Sequence, residues 1–463
     1  MTIWTPDLAA FDGPLYLKLV KAIELAICDG SLPAKTRLPT HRALADRLGV
    51  TVGTITRAYS EAERRGLLAA RVGHGTWVKE SGGKGVSSDP ANEWVIRTEE
   101  GPRIELWQNL PVQLDRAALI NPLLAELGQG DLNALLGYDK EAGRPDQRQR
   151  FIDWLTRQGI AAQEERLLFS HGAQHGIMLA LLATSSVGET ILCEGLSYPG
   201  MLGSARQLKN KVVGLAMDDE GLLPDALEAS CRTRRAKLLY LTPTLQNPTT
   251  AIMSPARREA IIAIARRHDL LIIEDDVNGL LPEPHHVPLV NLAPERVIYL
   301  GSLAKIACGG MRVGFVLAPA HLQQPLAQAM RLSSWMVSPL LVELACKLVS
   351  QPGIDQLIRE QRQILARRGE LLRHLLPAAR WQQGAMHAWL PLPEPWRSQE
   401  FAAAADALDV GVASGEHFAA GQFAAPQGVR LSLSQPATDA RVGEGLARLA
   451  QLLQGTPPCN PLL

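Results

Sequence analysis

The sequence predicts two units of different fold class. Residues 1–79 read as a winged helix-turn-helix, helical with a β wing. Residues 103–458 read as an α/β domain with a small α+β subdomain at its C-terminal end. Three observations predict this. The first eighty residues space their apolar side chains at helical intervals and end in two short β-prone runs around Gly73-His74-Gly75. Residues 80–102 are polar, rich in Gly and Ser and without apolar period, as a flexible linker is. Beyond them, apolar strand-like runs alternate with helical stretches, which argues for a largely parallel sheet.

Taken in order, Pro14 opens a first helix with Leu15, Leu19, Ile23, Ala26 and Ile27 on one face, and Gly30 ends it. Thr40 suits the N-cap of a helix from Arg42 to Leu48, which Gly49 breaks. Thr51 caps a third helix through about Arg65. The runs Leu67 to Val72 and Thr76 to Val78 are the strands of the wing. In the large unit the expected strands are Thr190 to Cys193, Val212 to Leu215, Lys237 to Leu241, Leu270 to Ile273, Val297 to Leu300 and Gly314 to Leu317, with a helix over Ser254 to Arg267. A long Arg-rich amphipathic helix from Ile354 to Leu376 leads into the small subdomain.

Composition excludes some classes. Lys+Arg and Asp+Glu balance at 47 each, so no global field points to nucleic acid or membrane. Locally, residues 1–80 hold eleven Lys/Arg against eight Asp/Glu. The 6 cysteines are scattered without metal-ligand spacing and read as reduced thiols of a cytoplasmic protein. Met1 to Pro6 carries neither a basic nor an apolar signal-peptide region, and no apolar run is long enough to span a bilayer.

Two stretches carry chemistry. A helix-turn-helix places its second helix in the major groove. Here that helix begins Thr51-Val52-Gly53-Thr54-Ile55-Thr56-Arg57. Thr51 and Thr54 can donate to phosphate, Arg57 and Arg42 add charge, and Arg71 with the tip His74-Gly75 can reach a minor groove. A small protein-docking domain is the alternative. The second stretch is Gly301-Ser302-Leu303-Ala304-Lys305, with Arg312 seven residues on. The Lys305 amine can form a Schiff base with an aldehyde cofactor whose phosphate Ser302 and Arg312 hold. One carboxylate of Glu274-Asp275-Asp276, after the run Leu270 to Ile273, can pair with a protonated pyridine nitrogen, as pyridoxal phosphate requires.

Residues 12–79 resemble the DNA-binding domain of GntR-type bacterial repressors, through Gly13-Pro14-Leu15-Tyr16, Arg37-Leu38-Pro39-Thr40-His41-Arg42, Leu44-Ala45-Asp46-Arg47-Leu48-Gly49-Val50-Thr51 and Gly73-His74-Gly75-Thr76. Residues 105–455 resemble fold-type I aminotransferases, with motifs in the family order from Gly137-Tyr138 and Gly143 onward. By this resemblance Gly172-Ala173-Gln174 cradles the phosphate, Tyr198 stacks on the pyridine and Asn247 donates to the phenolic oxygen. Asp275 pairs with the ring nitrogen, Lys305 is the Schiff-base lysine and Arg430 binds a substrate or effector carboxylate. The combination is similar to the MocR subfamily of transcriptional regulators. It implies a homodimer that binds double-stranded operator DNA as direct or inverted repeats, with one subunit's DNA domain against the other's large domain.

Departures qualify the expectation. Val52 and Gly53 stand where many GntR-type members carry Arg or Ser and Asn, and Thr56 where some carry arginine. Val277 and Asn278 stand where aminotransferases have a tyrosine that donates to the phenolic oxygen, so Asn278 inherits that place with a weaker donor. The loop at Asn247 reads Pro-Thr-Thr where many enzymes read Pro-Thr-Gly. Three readings stay open. One is a regulator sensing pyridoxal phosphate, vitamin B6 status or an amino compound with at most a residual half-reaction. Another is an active aminotransferase with a DNA-binding appendage. The last is a DNA-binding protein whose large domain is a dimerisation scaffold.

Overall fold

A proline carbonyl starts the first helix: Pro14 accepts from the N–H groups of Leu17 and Lys18, and α1 runs Leu15–Cys28. Its buried stripe is Leu19, Val20, Ile23 and Ala26. Leu15, expected on that face, is 49% exposed and Val20 takes its share of the core. α2 (His41–Leu48) is capped by Thr40, whose hydroxyl accepts from Ala43 N at 3.3 Å. It ends at Gly49, at φ 64°, a conformation glycine adopts without strain. α3 (Val52–Arg64) is capped by Thr51, which accepts from Thr54 N at 3.3 Å. β1 (Leu68–Arg71) and β2 (Gly75–Val78) pair antiparallel with Leu68 opposite Val78. Leu44, Ile55, Ala58, Tyr59, Leu68 and Val78 close a single core over α1. This is the expected winged helix-turn-helix.

The computed structural model describes residues 4, 6, 8, 14–28, 32, 36–64, 67–71, 75–78 and 101–455. Gly30, His74 and the expected linker up to residue 100 lie outside them, as do residues 456–458 at the end of the large domain. The chain divides into two compact units, whose described residues run from 4 to 78 and from 101 to 455.

The second unit is built on a seven-stranded sheet. Its strands in chain order are β3 (Leu167–Ser170), β4 (Thr190–Glu194), β5 (Lys211–Leu215), β6 (Ala236–Leu241), β7 (Leu271–Asp275), β8 (Val297–Ser302) and β9 (Gly314–Leu317). Across the sheet they lie β3-β9-β8-β7-β6-β4-β5. The five strands from β8 to β5 are mutually parallel, and β9 runs antiparallel to both β8 and β3. Near-continuous apolar runs suit strands buried on both faces. β3, a strand of only four residues that directly follows a short turn of 3₁₀ helix, is the one strand of this sheet absent from the sequence expectation.

The small subdomain has a second core. Strands His387–Pro391, Gly428–Ser432 and Ala413–Ser414 form an antiparallel sheet. The helices Gly353–Leu375 and Asp439–Gln454 contribute Leu372, Val442, Leu446 and Leu449 to the same core. The pair Ile104–Glu105 lies parallel to Val410–Gly411, so the start of the unit is built into its C-terminal part. Among the described residues no helix is long and apolar enough to cross a membrane.

Candidate functional site

Strand register sorts three adjacent acids. Ile273 lies opposite Tyr240 and Glu274 opposite Tyr299. Alternation then puts Asp275 on the Tyr240 face and Glu274 on the other. The bonds follow: Tyr240 donates its hydroxyl to Asp275 Oδ2 at 2.6 Å, and Tyr299 donates to Asp276 Oδ2 at 3.0 Å. Glu274 accepts from Leu289 N at 2.8 Å and Val290 N at 2.9 Å, and lies 3.9 Å from the buried Arg258. Glu274 and Asp276 thus serve the scaffold. Burial pushes both above the usual carboxylate range, helped by the charge of Asp276 at Glu274 and by that of Asp275 at Asp276.

Asp275 ends β7 at the C-terminal edge of the parallel strands, the edge where open α/β sheets bind ligands. Burial raises its pKa, and the Tyr240 hydroxyl and the Lys305 amine oppose that rise. Lys305 follows β8. Burial first, then the like charge of Arg430, lower its pKa to about 8, while Asp275 works the other way. Its Nζ donates to the main-chain oxygen of Asn109. Arg430, 6% exposed in the strand Gly428–Ser432, donates to Asn247 Oδ1 at 2.9 Å and to Trp107 O, and its guanidinium lies 4.8 Å from the Phe418 ring centre. Burial lowers its pKa to about 10.

An anion cradle lies beside this cluster. Gly172, at φ 77°, caps the helix Ala173–Thr184, whose first-turn N–H groups have no intrahelical acceptor. A Cβ at Gly172 would sit 3.0 Å from the Arg312 guanidinium, so a side chain would close the cradle. Arg312 donates to His171 O at 2.9 Å, and Ser302 accepts from Ala304 N at 3.1 Å. Gln174 is tied to Gly200 O and the Ser204 hydroxyl, which leaves its Oε1 without a partner among the described residues. Tyr198, part-buried, is coupled electrostatically to Asp275, Arg430 and Arg312, and burial pushes its phenol up.

The structure thus brings Tyr198, Asn247, Asp275, Lys305, Arg312 and Arg430 into one cluster. Asn247 turns Oδ1 to Arg430, which leaves Nδ2 as its donor. Asn278 is 4% exposed, and its Oδ1 has no partner among the described residues. Tyr240, Asn109 and His387 were missed in sequence. Tyr240 reads as one more apolar strand residue, and only its register beside Asp275 reveals it. Asn109 and His387 carry no local signal. A surface recess of about 400 Å³ lined by Tyr138, Lys140, Arg331 and Trp335 includes none of this cluster.

In the first unit, Arg42 and Arg57 are exposed. The Arg57 guanidinium stacks 4.0 Å from the Tyr16 ring centre, which holds its charge on the α3 surface. The Thr51 and Thr54 hydroxyls pair at 3.0 Å, and Thr56 donates to Val52 O at 3.0 Å. Gly75 lies in β2 and Arg71 in β1. Arg37, not expected, reaches Gly75: its Nε would be 3.0 Å from a Cβ there, and its guanidinium lies over Trp77.

Comparison with known proteins bears on both units. The family of aminotransferases class I and II matches residues 106–449, and the gntR family of bacterial regulatory proteins matches residues 15–78. The chain is 29% identical to the HTH-type transcriptional regulator YdeF of Bacillus subtilis, over 97% of this chain and 96% of that protein. It is 25% identical to the probable rhizopine catabolism regulatory protein MocR of Rhizobium meliloti, over 77% of this chain and 76% of that protein. It is 27% identical to the HTH-type pyridoxine biosynthesis transcriptional regulator PdxR of Corynebacterium glutamicum, over 67% of each. A kynurenine aminotransferase of Pyrococcus horikoshii shares the fold at a TM-score of 0.71 and 22% identity, covering 79% of this chain and 96% of its own. Two families joined in one chain, with relatives of the same make-up along most of its length, settle the assignment: the protein belongs to the MocR subfamily of GntR-type transcriptional regulators, a helix-turn-helix domain fused to a class I and II aminotransferase domain.

Proposed function

We propose that this regulator binds pyridoxal phosphate at Lys305 and that occupancy of the site biases its binding to operator DNA. One observation carries the reading: an amine lowered to about 8 stands among a buried carboxylate, an anion cradle and a buried arginine at the C-terminal edge of the parallel strands. Those residues fit the cofactor. The first-turn N–H groups from Ala173, with Ser302 and Arg312, would hold its phosphate. Asp275 would face its ring nitrogen, Tyr198 its ring, and Asn247 Nδ2 its phenolic oxygen. When bound, the cofactor supplies an aldehyde that condenses with a primary amine.

The chain's own part is to present Lys305 in reactive form and to hold the ring. Arg430 would receive the carboxylate of an amino compound. Asn278 offers the phenolic oxygen at most a weak donor, so exchange with amines is slow and the signal is occupancy rather than turnover. The relationship to a pyridoxine biosynthesis regulator supports a vitamin B6 signal. A homodimer in which ligand shifts the population between two spacings of the DNA-binding units completes the scheme.

The test is a titration of the full-length protein with pyridoxal phosphate, then with amines, read by visible absorbance beside binding to DNA selected from a random pool. A visible band and an adduct fixed by borohydride at Lys305 are expected, and Lys305→Ala abolishes both. An adduct at another lysine, or DNA binding indifferent to the cofactor, overturns the proposal. Sustained conversion of an amino donor and keto acid would instead establish the enzyme.

A further inference from the structure

The two cations of the site share one covering. Arg430 gives one outer nitrogen to Asn247 Oδ1 and the other to Trp107 O, while its Nε is buried with no hydrogen-bond partner among the described residues. Lys305 gives its amine to Asn109 O, two residues further on. A carboxylate seeking the Nε edge of Arg430 bidentately meets the Trp107 carbonyl. An aldehyde approaching Lys305 meets the Asn109 carbonyl.

The segment is pinned through a chain of bonds with defined direction. His387, fully buried, faces Gln246 O from Nε2 at 3.0 Å. A carbonyl only accepts, so Nε2 carries the proton. Burial, with Arg430 and Lys305 nearby, lowers the imidazole to about 3, so Nδ1 keeps its lone pair and accepts from Asn109 Nδ2 at 3.2 Å. Gln246 adjoins Asn247, which holds Arg430 in turn. These hydrogen bonds and the chain itself close a ring through Asn109, His387, Gln246, Asn247, Arg430 and Trp107, and Lys305 is bonded to it at Asn109. Gln435 adds a second pin, accepting from Gln108 N at 2.6 Å.

We propose that Trp107–Asn109 is an autoinhibitory strap, locked by the Asn109–His387 hydrogen bond, whose carbonyls occupy Arg430 and Lys305 until a ligand displaces them. Asn109 and His387 are then positioning residues that set access to the amine. The inference rests on Lys305 being the amine that captures pyridoxal phosphate. The sign of the effect separates the strap from a merely structural role: loosening a strap speeds capture, whereas damaging a scaffold slows it.

The test compares full-length wild type with Asn109→Ala, His387→Phe and the double variant. Two rates are measured: capture of pyridoxal phosphate, by visible absorbance, and acetylation of Lys305 by acetic anhydride without the cofactor, by peptide mass spectrometry. Each single variant is expected to raise both rates about three- to tenfold, the effect of losing one neutral hydrogen bond. The double variant should gain no more than either single one, since both cut the same bond. Unchanged or slower acetylation in both single variants overturns the strap. Absence of a visible band in every protein overturns the cofactor reading alone, and acetylation still decides the strap.

Discussion

At the scale of single residues, the amine of Lys305 sets the pH behaviour. With a midpoint near 8, about a tenth of it is neutral at pH 7, against well under a thousandth for an ordinary lysine. Capture of pyridoxal phosphate should therefore rise with pH and level off above about 8. Arg430→Gln removes a like charge and is expected to move that midpoint up, while Asp275→Asn removes an opposite charge and moves it down. A midpoint unmoved by either substitution would detach Lys305 from the cluster. Lys305 and Arg312 were legible in sequence because a lysine and an arginine after a buried strand are conspicuous. Tyr240 was not: a phenol within an apolar strand looks like core until the neighbouring strand's register places it beside a carboxylate.

At the scale of elements, register and strand ends decide what each side chain does. Glu194 ends β4 fully buried, accepting from Thr242 N at 3.1 Å, with Oε1 unpartnered among the described residues. Burial pushes it up to about 8. An acid whose folded pKa is raised stabilises the fold below its unfolded value and loses that contribution as pH rises through the folded one. The window here runs from about 4.5 to about 8. Wild type should lose on the order of 2–3 kcal/mol of this contribution between pH 6 and 9, and Glu194→Gln should flatten that slope in thermal unfolding. An identical slope in the variant would place the charge burial elsewhere. Apolar runs located six of the seven sheet strands, the five parallel ones and the antiparallel β9, because strands buried on both faces are apolar throughout. β3 escaped because its apolar run stops at three residues between Arg166 and Ser170, whereas the equally short β9 lies within the longer apolar stretch from Val313 to Ala318; the small subdomain's two-residue pairings escaped because they exist only between segments distant in sequence.

At the scale of the whole molecule, charge is balanced overall and functional only locally. Arg42 and Arg57 lie exposed on the helix-turn-helix, and Arg71 ends β1 of the wing. Replacing each with Ala is expected to weaken DNA binding and to lower its salt slope by about one for each phosphate no longer neutralised. Capture of pyridoxal phosphate should be unchanged. Arg57→Ala also removes the stacking on Tyr16, so its loss of affinity should include a small loss of domain stability that Arg42→Ala lacks. Three variants with unaltered affinity and slope would move the DNA face to another surface.

The pairing of Ile104–Glu105 with Val410–Gly411 has a consequence for how the protein is made. Both strands of the wing have emerged once residue 78 is made, and they close on one another. The aminotransferase-like unit cannot complete its small subdomain until more than three hundred further residues have been translated, since its first strand waits for a partner near the other end. During that interval a nascent chain carries both strands of the wing without a finished aminotransferase-like domain. A message cut short anywhere in between would leave a product of the same kind, a helix-turn-helix domain joined to an α/β unit whose small subdomain is incomplete.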